Sequence, residues 1–268
     1  MKTPPCVVTI AGTDPSGGAG IQADIKAISA TGGYAASIIT ALVAQNTQGV
    51  QAIQEVPVEF ITKQIDSVFS DLTICAVKIG MLHSKEVIAA IAAALKKYQP
   101  NFIVLDPVMI AKDGCALLDL STIDYLKETL LPLVTIITPN LFEAEKIVGH
   151  DIVDTESMAW AAAEMSKQFN IHVLLKGGHL ATPTSSDVLH LQATQKPIWF
   201  QAERIDSKNT HGTGCTLSAA IASYLAQNYE LATAVKMAKN YLTQAIAMGS
   251  KQTIGKGRGP VDHFYFMR

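Results

Sequence analysis

No stretch of this 268-residue sequence approaches the roughly 18 consecutive apolar residues of a membrane span, which excludes a helical membrane protein. The opening MKTPPCVVTIAG carries one Lys and a short apolar run before turn chemistry begins, too little for a secretory leader, so a cytoplasmic location is expected. Cys6, Cys75, Cys115 and Cys215 stand far apart with no C-x-x-C pair, which fits reduced thiols. None of the seven histidines falls in H-E-x-x-H or another ligand spacing, so a structural zinc is not expected. The 21 basic and 23 acidic residues are spread without long runs of one sign, leaving neither a nucleic-acid stripe nor a polybasic membrane anchor. A small molecule is the expected partner.

Two phosphate signatures are also missing from the glycine-rich loop AGTDPSGGAGIQADI (11 to 25). It lacks the Lys-Ser/Thr pair of a P-loop, and Gly17-Gly18-Ala19-Gly20 is out of register for G-x-G-x-x-G, which disfavours a nicotinamide oxidoreductase. Glycines without a cation suit close wrapping of an uncharged or planar ligand by backbone. Asp24, one turn into the following helix, supplies an acceptor there or is a solvated first-turn acid.

What is present is a rhythm. CVVTIA (6 to 11), SIITALVA (37 to 44), ICAVKIGM (74 to 81), FIVLDPVM (102 to 109), VTIITP (134 to 139) and HVLLKGG (172 to 178) are apolar on both parities and read as buried strands. Between them SKEVIAAIAAALKKYQ puts Ile88, Ile91, Leu95 and Tyr98 on one helical face, with Ser84 as its cap. Such alternation predicts an α/β fold with a mostly parallel sheet and helices on both faces, formed by residues 1–268 as one domain. DVLHL and PIWFQAERI predict an antiparallel hairpin at one edge of that sheet. Two helices follow, with Leu217, Ile221, Tyr224 and Leu225 on one face of the first and Leu231, Val235, Ala238, Leu242 and Ile246 on one face of the second.

Polar residues cluster where these strands end, the ligand edge of an open parallel sheet. In NTHGTGCTLSA, Gly212 and Gly214 precede a helix whose first N–H groups can converge on an anion. Cys215 in its first turn is either a thiolate favoured by the helix field or a buried small hydrophobe. Gln45 offers a donor and an acceptor side by side, complementary to an aminopyrimidine edge, unless the amide serves its own loop. Asp106, Asn140 and Glu143 are candidate ligands for Mg²⁺, directly or through waters; Asn140 and Glu143 also have the spacing of a helix capping box. Lys176 ends a strand, either beside phosphate oxygens or facing solvent. The loop AKDGCALLD (111 to 119), with Gly114 as hinge, is a candidate flap.

Taken in order, TIAGTDPSGGAGIQADIK, ITALVAQNTQGV, KIGML, VLDPVM, TPNLFEAE, LLKGGH, HGTGCTLSAAIA and the terminal GPVDHF resemble the hydroxymethylpyrimidine and phosphomethylpyrimidine kinases of thiamine biosynthesis, within the ribokinase-like superfamily. The resemblance implies a ribokinase-like fold, ATP with Mg²⁺, a homodimer, and two successive phosphorylations of 4-amino-5-hydroxymethyl-2-methylpyrimidine. Carried onto matching positions, it implies that Gly12, Asp24, Val43, Gln45, Met81 and Val108 line the pyrimidine pocket. Thr210, Gly212, Thr213 and Gly214 would form the phosphate region, with Asn140, Glu143 and Lys176 on the nucleotide side and Cys215 as the base. Sugar and vitamin kinases of the superfamily commonly carry Asp where this chain has Cys215, and some pyridoxal kinases share the Cys form. A pyridoxal or pyridoxine kinase is therefore the alternative, and a non-catalytic nucleotide-sensing regulatory protein is the alternative of another class.

Overall fold

Strand β1 (Cys6–Ala11) is apolar on both parities because both its faces are covered: Val7 packs among helices on one side of the sheet and Val8 among those on the other. The computed structural model describes residues 3–109, 118–180, 184–192, 194 and 196–267. After β1 the chain passes through the glycine loop into α1 (Gly20–Ala30) and returns as β2 (Tyr34–Ile39), parallel to β1. A separate antiparallel pair, β3 (Ala41–Asn46) and β4 (Gly49–Glu55), comes next. Then α2 (Val58–Asp71) carries the chain to β5 (Ile74–Ile79), which lies on the opposite side of β1 from β2.

From there the sheet grows in one direction. It runs through α3 (Lys85–Tyr98), β6 (Phe102–Leu105), α4 (Leu120–Thr129), the two-residue β7 (Ile136–Ile137), α5 (Leu141–Val148), α6 (Thr155–Phe169) and β8 (His172–Lys176). The expected hairpin is present as β9 (Thr184–His190) and β10 (Ile198–Glu203), antiparallel at the edge. Helices α7 (Thr213–Ala226) and α8 (Leu231–Gly249) follow. The sheet order β10-β9-β8-β7-β6-β5-β1-β2 reverses direction between β1 and β5, and open α/β sheets bind ligands outside the strand ends at such a reversal.

Each helix sits where its apolar stripe demands. In α3, Val87, Ile88, Ile91 and Leu95 are buried, each contributing about 1.5–3 kcal/mol, and Ser84 caps the helix by accepting from the Val87 N–H. Residues of α2 to α6 pack with Val77, Ile103, Ile137 and Val173 on one face, while α1, α7 and α8 pack with Ala76, Val104, Ile136 and Leu174 on the other. Helix α7 is buried over nearly its whole circumference from Thr216 to Ser223 rather than along one stripe, because α1, α8 and the sheet enclose it. The terminal GPVDHF stitches the chain end to this layer: Tyr241 Oη donates to the His263 carbonyl at 2.9 Å and Gln252 Nε2 to Asp262 Oδ2 at 2.7 Å.

Two expectations change. SIITALVA is not one buried strand: the chain turns at Thr40, whose hydroxyl donates to the Met81 carbonyl at 3.0 Å, and continues as β3 outside the main sheet. There Ala41 and Val43 are buried while Leu42 is 50% exposed, a period-2 pattern hidden by apolar residues on both parities. The candidate flap with Gly114 lies outside the described residues apart from Leu118 and Asp119, and Asp119 caps α4 by accepting from the Thr122 N–H.

Candidate active site

A cavity of about 1910 Å³ opens at the carboxyl ends of β1, β5, β6 and β8. A pocket for one small ligand commonly measures about 300–1,000 Å³, so this one has room for two molecules side by side. Its lining includes Gly12, Val43, Gln45, Met81 and Val108 together with Asp106, Asn140, Glu143, Lys176, Thr210 and Gly212 to Cys215. A methyl group added to Gly12 would come within 2.7 Å of Met81 Cε and 3.6 Å of Val43 Cγ2, so these three form a tight apolar floor. The register between β3 and β4 shifts at Ala44/Gln45, and a bulge of this kind re-aims the side chain beside it.

The opening loop lines the cavity with Gly12, Thr13, Ala19 and Gly20, and it also carries an anion of its own. Its N–H groups converge on its own Asp14: Oδ1 accepts from the Ser16 N–H and hydroxyl, and Oδ2 from the N–H groups of Gly18 (3.1 Å) and Ala19 (2.7 Å). His211 Nε2 lies 2.7 Å from the same Oδ2. Burial alone would raise this carboxyl, but hydrogen bonds from His211, Ser16 and Ala19 hold it well below the usual range. The loop is thus an anion nest filled from within. Its glycines serve the packing of the second loop: at Gly212, where φ is +75°, a side chain would collide with the Gly18 carbonyl.

Helix α7 begins at Gly212 with no side-chain cap, and Gly214 faces a charged cluster. A methyl group there would stand 3.2 Å from Asp106 Oδ2 and 3.4 Å from Lys176 Nζ. Lys176 donates to Asp106 Oδ1 at 2.8 Å, and Thr138 Oγ1 donates to the same oxygen at 3.2 Å. The expected strand-end lysine therefore reaches the cradle, partly buried against a carboxylate rather than facing open solvent. Asn140 and Glu143 form a complete capping box on α5: the Asn140 N–H donates to Glu143 Oε2 at 2.8 Å and the Glu143 N–H to Asn140 Oδ1 at 3.0 Å. Burial pushes the Glu143 carboxyl up to about 7, Lys176 opposing and Asp106 adding to it. Among the described residues no group of three His, Cys, Asp or Glu could hold a metal on its own. Within the candidate set Asp106, Asn140 and Glu143, the capping box engages one oxygen each of Asn140 and Glu143, and Lys176 engages one of Asp106.

One further expectation is overturned, and one of two alternatives is favoured. Asp24 does not line the cavity: it is fully buried beneath it, accepting from Thr9 Oγ1 at 2.5 Å and from Lys78 Nζ at 2.8 Å, both on the same oxygen. Its other oxygen, Oδ1, is buried without a hydrogen-bond partner. Cys215 does reach the cavity, but not as a depressed thiolate. Burial pushes the thiol up to about 11; Lys78 and the Gly20 N–H oppose this, while Asp24 and Asp106 reinforce it.

Comparison with known proteins follows this geometry. The sequence model described as phosphomethylpyrimidine kinase matches residues 14–262. The chain belongs to the phosphomethylpyrimidine kinase family. It is 48% identical over 259 residues to the hydroxymethylpyrimidine/phosphomethylpyrimidine kinase of Rhizobium meliloti, covering 96% of each chain. To the thiamine biosynthesis bifunctional protein ThiED of Geobacter sulfurreducens it is 49% identical over 96% of its own length, and it spans about half (52%) of that longer relative. In shape it matches the pyridoxal kinase of Bacillus subtilis, solved as an ADP complex, with a TM-score of 0.90, 33% identity and 99% coverage of both chains. The ribokinase-like fold expected from the motifs is the one found.

In this member of the phosphomethylpyrimidine kinase family, sequence reasoning missed three site residues. Asp14 was legible as the acid that opens a glycine loop, where an Asx side chain binds the backbone N–H groups that follow it. Lys78 was legible as a lone cation inside the apolar strand ICAVKIGM, which a buried strand tolerates only with a counter-charge. His211 carried no signal beyond its place before Gly212; its partners, Asp14 and Gln45, are nearly 200 residues and 166 residues away.

Proposed function

We propose that this chain transfers the γ-phosphoryl group of ATP to 4-amino-5-hydroxymethyl-2-methylpyrimidine and then to the resulting monophosphate, giving the diphosphate, with residues 1–268 acting as one kinase domain. One observation carries this reading: the amide of Gln45 and the cradle of Gly212 to Cys215 line the same cavity. The donor set also fits a nucleotide with a hydrated divalent ion. Asp106 Oδ2 lies on the Gly214 side of its carboxylate, and the raised Glu143 carboxyl marks a place where added positive charge is favourable. Asp106 and Glu143, with Asn140, would hold Mg²⁺ through its waters, and the ion would neutralise charge on the phosphates.

Phosphoryl transfer asks a protein for positioning and charge stabilisation more than for covalent chemistry. In this reading Gln45 orients the ring over Gly12, Val43 and Met81, and Lys176 and the α7 amides stabilise the transferring group. In the first reaction the hydroxymethyl proton passes to Cys215 Sγ in its thiolate form, the minor form at neutral pH, which returns the group to the thiol. The second nucleophile is a phosphate monoester with a second pKa of about 6, already ionised at neutral pH, so it needs no base. The test is a substrate panel with ATP and Mg²⁺: turnover of the aminopyrimidine and its monophosphate supports the reading, and no turnover of either contradicts it.

The likeness in shape to a pyridoxal kinase favours one rival, phosphorylation of pyridoxal at the same cavity, and the same panel separates the two. We also propose a homodimer, as the resemblance implies, with Leu42 of β3 (50% exposed) on the outer face of the β3–β4 pair; sedimentation velocity reads it directly. No helix among the described residues is long and apolar enough to cross a membrane.

A further inference from the structure

Gln45 and Asp14 compete for one atom. His211 Nε2 lies 2.7 Å from Asp14 Oδ2 and 3.1 Å from the amide nitrogen of Gln45. A ring nitrogen either carries a proton and donates or lacks one and accepts. Asp14 decides between them. Its carboxylate already accepts from the N–H groups of Ser16, Gly18 and Ala19 and from the Ser16 hydroxyl, and an ionised carboxylate can only accept. Nε2 of His211 is therefore the donor: its single N–H serves Asp14 at 2.7 Å and is shared with the Gln45 atom at 3.1 Å, which must then be an acceptor. A half-turn of the amide, which exchanges two atoms of almost equal size, puts Oε1 there and turns the NH₂ group away.

We propose that His211, held by Asp14, is a positioning residue that fixes the Gln45 amide with its oxygen toward His211, and so fixes which way round the aminopyrimidine binds. This rests on the kinase reading above. The substrate edge presents an exocyclic amino donor next to a ring-nitrogen acceptor. The amino group pairs with Oε1 on the His211 side and the ring nitrogen with the NH₂ group on the far side. In the substrate the carbon bearing the hydroxymethyl group adjoins the one bearing the amino group. The reacting arm is thus delivered on the side of His211, which continues directly into Gly212 to Cys215. The opposite amide orientation would turn that arm away from the cradle.

The surroundings hold the ring in this role. A methyl group on Gly18 would lie 2.5 Å from His211 Cδ2 and 3.2 Å from Pro260 Cβ, so the loop backbone presses on the imidazole edge. The His211 N–H donates to the Gly259 carbonyl at 3.1 Å, fixing the other side of the residue.

Two measurements test the proposal. Nitrogen-15 NMR of the unaltered full chain should find His211 Nε2 protonated; an unprotonated Nε2 overturns the assignment. In steady-state kinetics of the first phosphorylation, His211→Leu leaves the amide free to flip. Its kcat should fall about tenfold without a rise in KM, the mark of substrate bound the wrong way round. His211→Gln, which keeps an N–H donor at similar reach, should stay within about threefold of the unaltered protein. An unchanged kcat in His211→Leu, or a raised KM with kcat intact, contradicts the proposal. Should His211→Leu fail to fold, the NMR result decides alone. Absence of any turnover by the unaltered chain would refute the kinase reading, whereas the protonation of Nε2 judges the amide assignment separately.

Discussion

The two glycine loops at the carboxyl edge of the sheet have similar composition and different surroundings. Before α1, the N–H groups of Ser16, Gly18 and Ala19 all point at the chain's own Asp14. Before α7, no side chain caps the helix, and Gly214 lies directly against Lys176 and Asp106. A nest that carries its own carboxylate is a frame; one without is a place for an incoming anion. Glycine content alone therefore says little about where phosphate binds. The residue that discriminates is the acid at the start of the loop.

That contrast is most sharply broken at the glycines of the second loop. Gly212→Ala places a side chain against the Gly18 carbonyl at φ +75° and should destabilise the fold by about 4 kcal/mol or more in urea unfolding. Gly214→Ala meets only the ends of Asp106 and Lys176, so it should stay folded and lose about 10²-fold in kcat. Equal loss of stability in both variants would erase the distinction between frame and cradle.

The layer beneath the loops comes next. Lys78→Met leaves the fully buried Asp24 without its counter-charge and should cost about 3–5 kcal/mol. Adding Asp24→Leu should recover most of that loss, because two apolar side chains replace the whole pair. A double variant no more stable than the single one would mean that the pair does more than balance charge.

Cys215 tests the cradle by a different reading. With its thiol near 11, only about one part in 10⁴ is thiolate at pH 7, and that fraction rises tenfold per pH unit. If Sγ takes the proton, the first phosphorylation should quicken from pH 7 to 9 while the second stays level. Cys215→Ala should then slow the first by about 10²-fold and the second far less. A level profile for the first reaction would remove the base role and leave the sulfur a packing group.

The smallest effect is expected at α5. Glu143 has its carboxyl raised to about 7 in the folded chain, against about 4.3 when unfolded. The folded state thus binds more protons between these values, so this group's contribution to stability is present below about pH 4.3 and is lost as pH rises toward 7. Glu143→Gln should flatten that part of the profile in thermal melts.

Much of the fold was legible from the chain because buried parallel strands are apolar on both parities and their ends are marked by polar residues. Ser84 as a cap and the β9–β10 hairpin followed from local rules. β3 was not legible, since Leu42 and Ala44 disguise a half-exposed strand as a buried one. At the site, Gln45, Lys176 and Gly214 are brought into one cavity as their strand-end or helix-start positions required. Asp24 was misplaced and the two alternatives for Cys215 were left open for one reason: burial depth is a tertiary fact, and a helix dipole read from sequence is too weak to outweigh it.

The most direct test is a crystal structure of the protein with the aminopyrimidine and a non-hydrolysable ATP analogue. The account predicts the ring edge on the Gln45 amide, its amino group on the His211 side, and the terminal phosphate over Gly212 to Gly214 beside Lys176. A ring bound elsewhere, or a phosphate seated in the Asp14 loop, would contradict it.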